Sequence, residues 1–109
     1  MKIFATSIPA LSASTEDLMK DMEAEVAKGR QFYEEGLILQ AYMDPEYKRT
    51  FMILEAESVE AAKTRFDEYP QVKAGLITFS FTPLIGMPAV SQVHAQRGEP
   101  LPDWWPQAI

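Results

Sequence analysis

The stretch from Tyr69 to Leu84, YPQVKAGLITFSFTPL, decides the fold of this chain. It predicts the end of a helix, a turn at Gly75 and then a strand in which apolar and hydroxyl-bearing side chains alternate strictly. Because successive strand residues point to opposite faces, one face carries Ile77, Phe79 and Phe81, and the other carries Thr78, Ser80 and Thr82. Such a strand packs its apolar face on a core, and its other face needs a less apolar surface to cover it.

Three further strands and two helices are predicted upstream of this stretch. The strands are expected over residues 2–8, 37–43 and 48–56. The first helix begins at Ser14, which forms a capping box with Asp17, and it ends at Gly36. Ser58 caps the second helix, and Pro70 stops it.

The first helix has an apolar stripe and an acidic face. The stripe comprises Leu18, Met22, Val26, Phe32 and Tyr33. The acidic residues Asp17, Asp21 and Glu25 recur at every fourth position, and like charges at this spacing indicate a solvated helix face. On this interpretation Glu25 points to water.

The predicted order of strand, helix, strand, strand, helix and strand is the ferredoxin-like βαββαβ arrangement of the α+β class. Right-handed crossovers put the first and third strands in the centre of the sheet and both helices on one face. The other face then has no cover of its own. In a chain of 109 residues we expect a second subunit or the C-terminal tail to cover it, which predicts a homodimer or a larger ring.

The chain is predicted to divide into a domain over residues 1–88 and a C-terminal tail over residues 89–109. Long regular structure beyond the last strand is excluded by Pro83, Pro88, Pro100, Pro102 and Pro106. Leu101, Trp104 and Trp105 are nevertheless too apolar for a solvated tail. They pack either on their own domain or across a subunit interface, and we expect the interface.

Composition and charge disfavour several classes of function. Sixteen acidic and ten basic residues give a net charge of −6, which disfavours nucleic acid as a partner. Without cysteine, disulfides and thiolate sites are excluded, and one histidine is too few for a histidine metal site. No run reaches the roughly 20 apolar residues that span a membrane, and polar residues interrupt the N-terminal run that loosely mimics a secretion signal. We therefore expect a cytoplasmic protein without a metal or cofactor.

Two sets of residues resemble known families. The run from Ala61 to Leu76, which includes YPQVKAGL, is similar to YCII-related proteins. Ser58 at the start of the second helix, and Thr82-Pro83-Leu84 followed by Pro88, are similar to muconolactone isomerases. The resemblance implies a dimeric α+β barrel, in which two ferredoxin-like subunits press their sheets together. It also implies a small-molecule ligand and, from the second family, a lactone isomerase that moves a proton without a cofactor.

The chain departs from the YCII-related pattern at the positions of the acid–base residues of that family. Those proteins carry a histidine on the first helix and an aspartate before the helix-ending proline, whereas here the first helix has no histidine and Tyr69 precedes Pro70. Their acid–base pair is therefore not carried over. The catalytic candidates are His94, either an acid–base group over a pocket or a solvated residue, and Tyr69, either a phenol activated by Lys73 or a residue packed on the sheet.

Tyr33, Gln40 and Tyr42 are the ligand-binding candidates. Gln40 and Tyr42 are expected to share one face of the second strand with Ile38, where they either line a pocket or meet water at a sheet edge. Tyr33 either points its hydroxyl into the same cavity or bonds a backbone carbonyl. Two functions remain open: a cofactor-independent enzyme acting on a small lactone or aromatic molecule, and a catalytically silent ligand-binding or assembly protein.

Overall fold

The computed structural model describes residues 1–87 and 103–104. In chain order the elements are β1 (Lys2–Pro9), α1 (Thr15–Lys20), α2 (Met22–Glu34), β2 (Ile38–Met43), β3 (Thr50–Glu55), α3 (Val59–Phe66), α4 (Pro70–Lys73) and β4 (Ile77–Leu84). The strands form one antiparallel sheet in the order β2-β3-β1-β4. The predicted α+β, ferredoxin-like fold with its first and third strands in the centre is therefore confirmed.

The strand register gives the sheet two different faces. Ile3 and Ala5 of β1 and Leu54 of β3 are fully buried under the helices. The alternation predicted for β4 is confirmed, since Ile77 is buried on this face and Thr78 is exposed on the other. The opposite face carries Phe4, Thr6, Gln40, Tyr42, Phe51, Ile53, Thr78, Ser80, Thr82 and Leu84. Within residues 1–87 no helix covers that opposite face.

An aromatic cluster forms the centre of the core between the helices and the sheet. Its members are Phe32, Phe66, Tyr69, Phe79 and Phe81. Phe32 of α2 stacks on Phe66 of α3 with ring centroids 5.7 Å apart, and Tyr69 meets both rings edge-on at 5.3 and 5.2 Å. Edge-on contacts at this spacing add to the stabilisation from area burial alone. The cluster therefore fixes the position of Tyr69.

Two details of the predicted helices were wrong. The first helix is two helices, because Asp21 leaves the helical conformation (φ −109°, ψ 22°) and forms the junction between α1 and α2. The second ends at Phe66, before Pro70, and Pro70 instead begins α4. A proline fits the first position of a helix because its missing N–H has no partner there in any case.

The turn glycines and the first helix cap agree with prediction. Gly36 and Gly75 have φ values of +85° and +73°, the left-handed conformation that favours glycine. Ser14 and Asp17 form the expected capping box, with each side chain bonded to the other's backbone N–H. These local signals set where α2 ends and where β4 begins.

Most of the predicted tail lies outside the described residues, and so do Leu101 and Trp105. Trp104 lies in a turn and is exposed. Its place in an interface, and the domain boundary near residue 88, stay predictions. Among the described residues, no helix has the length and apolar character needed to cross a membrane.

Candidate functional site

A cavity of about 240 Å³ lies between the helices and the sheet. On the helix side it is lined by α1, α2 and α4, and on the sheet side by all four strands. Its walls are mainly apolar, formed by Pro9, Leu18, Met22, Val26, Met43, Met52, Ile77 and Phe79. An apolar cavity of about 150 Å³ is enough to hold benzene. This cavity therefore has room for one substituted ring.

A glycine on α2 leaves space beside the cavity. Met22, Glu25 and Gly29 are spaced by three and four residues, so that they share one face of α2. A Cβ atom at Gly29 would lie 3.2 Å from the Tyr69 hydroxyl oxygen. Glycine therefore lets α2 approach Tyr69 closely, although it lowers helix propensity at an interior position.

Glu25 is the acidic residue of the cavity, and the prediction that it points to water was wrong. Its Oε1 accepts a hydrogen bond from the backbone N–H of Gln71 at 3.0 Å. Burial raises the pKa of the Glu25 carboxyl; the Gln71 N–H offsets part of this rise, and the charge of Asp21 adds to it. Glu25 therefore holds a proton at higher pH than an ordinary glutamate, which suits a group that both takes and returns a proton.

Tyr69 lines the same cavity with its side chain 3% exposed. Burial, together with the nearby charge of Glu25, raises the pKa of its phenol, so that the hydroxyl stays protonated. This direction is opposite to an activation by Lys73, which is exposed on α4. Among the described residues the hydroxyl has no hydrogen-bond partner. Tyr69 therefore offers the cavity a proton donor.

Gln71 connects the helices at one end of the cavity. It is 5% exposed, and its side-chain Nε2 donates to the Leu18 carbonyl oxygen at 2.6 Å. Since its backbone N–H also donates to Glu25, this one residue positions α1 and the acidic group together.

On the sheet side of the cavity, the Ser7 hydroxyl accepts a hydrogen bond from the backbone N–H of Thr50 at 2.9 Å. The Thr50 hydroxyl itself is buried and has no partner among the described residues.

The turn between β2 and β3 contributes exposed residues to the cavity wall. Tyr47 and Lys48 line it, and Tyr47 has φ +60°, which is uncommon for a residue with a side chain. The Asp44 carboxylate accepts from the backbone N–H groups of Glu46, Lys48 and Arg49 at 3.3, 2.8 and 2.6 Å. These bonds lower the pKa of Asp44, with the Arg49 N–H as the largest cause, and hold the turn in this conformation.

The ligand-binding candidates from the sequence lie away from the cavity. Tyr33 is 61% exposed. It comes directly after the buried Phe32 on α2, and consecutive helix residues point to different sides of the helix. The pairing of β2 with β3 is irregular between Ile38 and Gln40, so Gln40 and Tyr42 lie on the opposite sheet face and do not share a face with Ile38. Their role in binding stays a prediction. His94 lies outside the described residues, so Tyr69 is the one catalytic candidate that the structure places.

Glu25 and Gln71 were missed by sequence reasoning. For Glu25 a signal existed: it follows Leu18 by seven residues and Met22 by three, which places it on their face. At this position the apolar spacing and the spacing of the acidic residues predict opposite faces, and the structure follows the apolar spacing. Gln71 carried no signal, because its burial depends on the contact between α1 and α4. Among the described residues no three or more His, Cys, Asp or Glu side chains are grouped to hold a metal.

Comparison with known proteins supports the fold but shows no family. No family model matches the sequence, and no curated protein matches it. Among solved structures the chain is similar to 5-chloro-2-hydroxyhydroquinone dehydrochlorinase from Burkholderia phenoliruptrix AC1100, in complex with 2,5-dihydroxybenzoquinone. The match covers 80% of this chain and 96% of that chain, with 18% sequence identity and a TM-score of 0.64. The likeness therefore supports the predicted ferredoxin-like α+β fold. Membership of the dimeric α+β barrel group, and the closer resemblances to YCII-related proteins and muconolactone isomerases, stay predictions.

Proposed function

We propose that the protein binds a small oxygenated ring in this cavity and moves a proton on it without a cofactor, as an isomerase of the muconolactone type does. The observation that carries the proposal is Glu25, a carboxyl with a raised pKa in a mainly apolar cavity that it shares with the phenol of Tyr69. A base and a neutral hydrogen-bond donor in one mainly apolar site are what enolisation needs.

The two groups would divide the reaction between them. On an unsaturated lactone, the Glu25 carboxylate takes the proton from the carbon next to the carbonyl. The C–H electrons form a new double bond, and the carbonyl oxygen becomes an oxyanion that the Tyr69 hydroxyl stabilises as a donor. Protonated Glu25 then returns its proton to the γ-carbon. The double bond has moved by one position, and both side chains have regained their starting states.

The named structural neighbour supports the choice of ligand. That dehydrochlorinase is described in complex with 2,5-dihydroxybenzoquinone, a single oxygenated ring. A cavity of about 240 Å³ suits a ligand of this size. We therefore propose hydroxylated aromatic rings, quinone-like rings and five-membered lactones as the ligand class of this protein.

Isomerisation of α-angelica lactone in D₂O, followed by proton NMR, tests the proposed chemistry. We expect Glu25→Gln to lower the enzyme-catalysed rate by about 10²–10⁴-fold, because a positioned base contributes that much. Tyr69→Phe should lower kcat by about 10²-fold, as for loss of one oxyanion donor. Glu23→Gln is the matched control, since it removes an exposed carboxylate from the same turn of α2 and should leave the rate unchanged.

Two results would contradict the proposal. A Glu25→Gln variant as active as the native chain would exclude Glu25 as the base. Ring binding without turnover of any lactone or phenol would favour the catalytically silent ligand-binding protein, the second function that the sequence left open.

We also propose that a second copy of the chain covers the open sheet face, as the sequence predicted. This face presents Phe4, Phe51 and Ile53 on its central strands and the exposed Tyr42 at one edge. Apolar side chains in such a group mark an interaction surface on a soluble domain. Light scattering should give twice 12.3 kDa or a larger multiple, and Phe51→Asp should reduce it to one chain. A native mass of one chain would contradict a homodimer or ring.

A further inference from the structure

We infer that Gln71 is a specificity-determining residue, whose carboxamide oxygen accepts a hydrogen bond from a hydroxyl group of the substrate. The inference rests on the proposed function and narrows its substrate class to rings that carry a hydroxyl as well as a carbonyl or second oxygen. α-Angelica lactone lacks this hydroxyl, so it should report the chemistry with a higher KM than a hydroxylated substrate.

The hydrogen bond to Leu18 settles which end of the Gln71 amide is oxygen. The Leu18 carbonyl can only accept, so the side-chain atom 2.6 Å from it is Nε2. The Gln71 backbone N–H is bonded to Glu25 at 3.0 Å. Two of the residue's groups are thus engaged with α1 and α2, and the side chain has one fixed orientation. Oε1 is the acceptor that these bonds leave.

This Oε1 atom has no hydrogen-bond partner among residues 1–87. It is not one of the fully enclosed, unpaired side-chain atoms of the described residues, so it keeps contact with the open space of the cavity that Gln71 lines. Gln71 lines the cavity, so a bound molecule can supply the missing donor. A hydroxyl group satisfies Oε1, whereas a carbonyl or ether oxygen presented there would repel it.

Tyr69 and Gln71 then recognise opposite properties of a ligand. The protonated Tyr69 hydroxyl offers a donor, and Oε1 of Gln71 offers an acceptor, in the same cavity as Glu25. A ligand fills both with one oxygen that accepts and one hydroxyl that donates. An apolar ring without a hydroxyl displaces water from the amide oxygen and leaves it unpaired, and sites that hydrogen-bond a substrate hydroxyl discriminate against such analogues.

Two small probes separate these contacts. p-Cresol can donate and accept, whereas 4-methylanisole has the same ring and oxygen but cannot donate. Dissociation constants for both would be measured by NMR titration with the native chain, Gln71→Met and Tyr69→Phe. We expect Gln71→Met to weaken p-cresol about tenfold and to leave 4-methylanisole within about twofold, because only p-cresol loses a hydrogen bond. Tyr69→Phe should not weaken p-cresol more than 4-methylanisole, because the oxygens of both probes can accept from the Tyr69 hydroxyl.

The remaining outcomes overturn the inference. Equal loss of both probes in Gln71→Met would mean that Gln71 only shapes the cavity, and no loss would mean that it does not touch the ligand. If Gln71→Met fails to fold without its bond to Leu18, the Gln71 side-chain carbonyl ¹³C shift in the native chain decides. This chemical shift should change when p-cresol is added and should not change when 4-methylanisole is added. The same response to both probes would overturn the inference. If neither probe binds the native chain, the ring-binding function fails together with the inference.

Discussion

The helix-covered face of the sheet has two halves that differ in how they are filled. Under α3, the rings of Phe66 and Phe79 meet edge-on at 4.8 Å, and Phe66 contacts Phe81 at 5.5 Å. Under α1 and α2, the same sheet leaves a cavity of about 240 Å³. One layer of helices thus covers a packed half, where the cavity beside Phe66 is only about 90 Å³, and a hollow half, where the cavity is about 240 Å³.

The difference follows from side-chain size and shape. The packed half is filled by aromatic rings, whereas the hollow half combines small residues, Gly29 and Ser7, with flexible methionines such as Met22 and Met52. Tyr69 belongs to both halves, because its ring is held by the aromatic cluster and its hydroxyl lies next to Gly29. The packed half therefore provides the stability and rigidity with which the hollow half presents its chemical groups.

Phe66→Ala should show the largest effect, because it removes the ring that contacts every other member of the aromatic cluster. We expect the free energy of unfolding to fall by about 3–5 kcal/mol, the usual cost of truncating a buried phenylalanine. Urea unfolding followed by circular dichroism measures it. Val26→Ala in the hollow half, at a residue 51% exposed, should change it by no more than about 0.5 kcal/mol. Similar losses for both variants would contradict the division into two halves.

Two threonines on neighbouring strands should give smaller effects of opposite sign. Thr50 has a buried hydroxyl without a partner among the described residues, so Thr50→Val should raise the free energy of unfolding by about 1 kcal/mol. The Thr6 hydroxyl donates to the Thr50 carbonyl at 3.0 Å and accepts from Arg49 at 3.2 Å, so Thr6→Val should lower it by about 1 kcal/mol. A loss in both variants would show that the Thr50 hydroxyl is hydrogen-bonded in solution.

The sequence predicted the fold much better than the cavity. The alternation in β4, the capping box at Ser14 and the glycine at position 36 are local patterns, and each element that they predicted is present. The cavity depends on how α1 and α4 meet, which no local pattern encodes. The sheet face of Gln40 was predicted wrongly for a similar reason: the irregular pairing between Ile38 and Gln40 places its side chain on the opposite face of the sheet. Tyr69 was found because a departure from a family pattern drew attention to it.

Glu25→Gln should give the smallest effect on the free energy of unfolding, and the way this effect changes with pH shows whether the pKa of Glu25 is raised. Because the folded-state pKa of Glu25 is raised, the folded chain binds more protons than the unfolded chain between the ordinary glutamate pKa and that raised value. The contribution of Glu25 to stability is therefore full below pH 4.5 and is lost as pH rises through the raised pKa. Glutamine keeps an acceptor for the Gln71 N–H, so the variant should match the native chain at pH 4 and exceed it at pH 7. We expect a gain below that of Thr50→Val, since Glu25 is only partly buried. Glu23→Gln controls for net charge, and an equal gain there would place Glu25 in water.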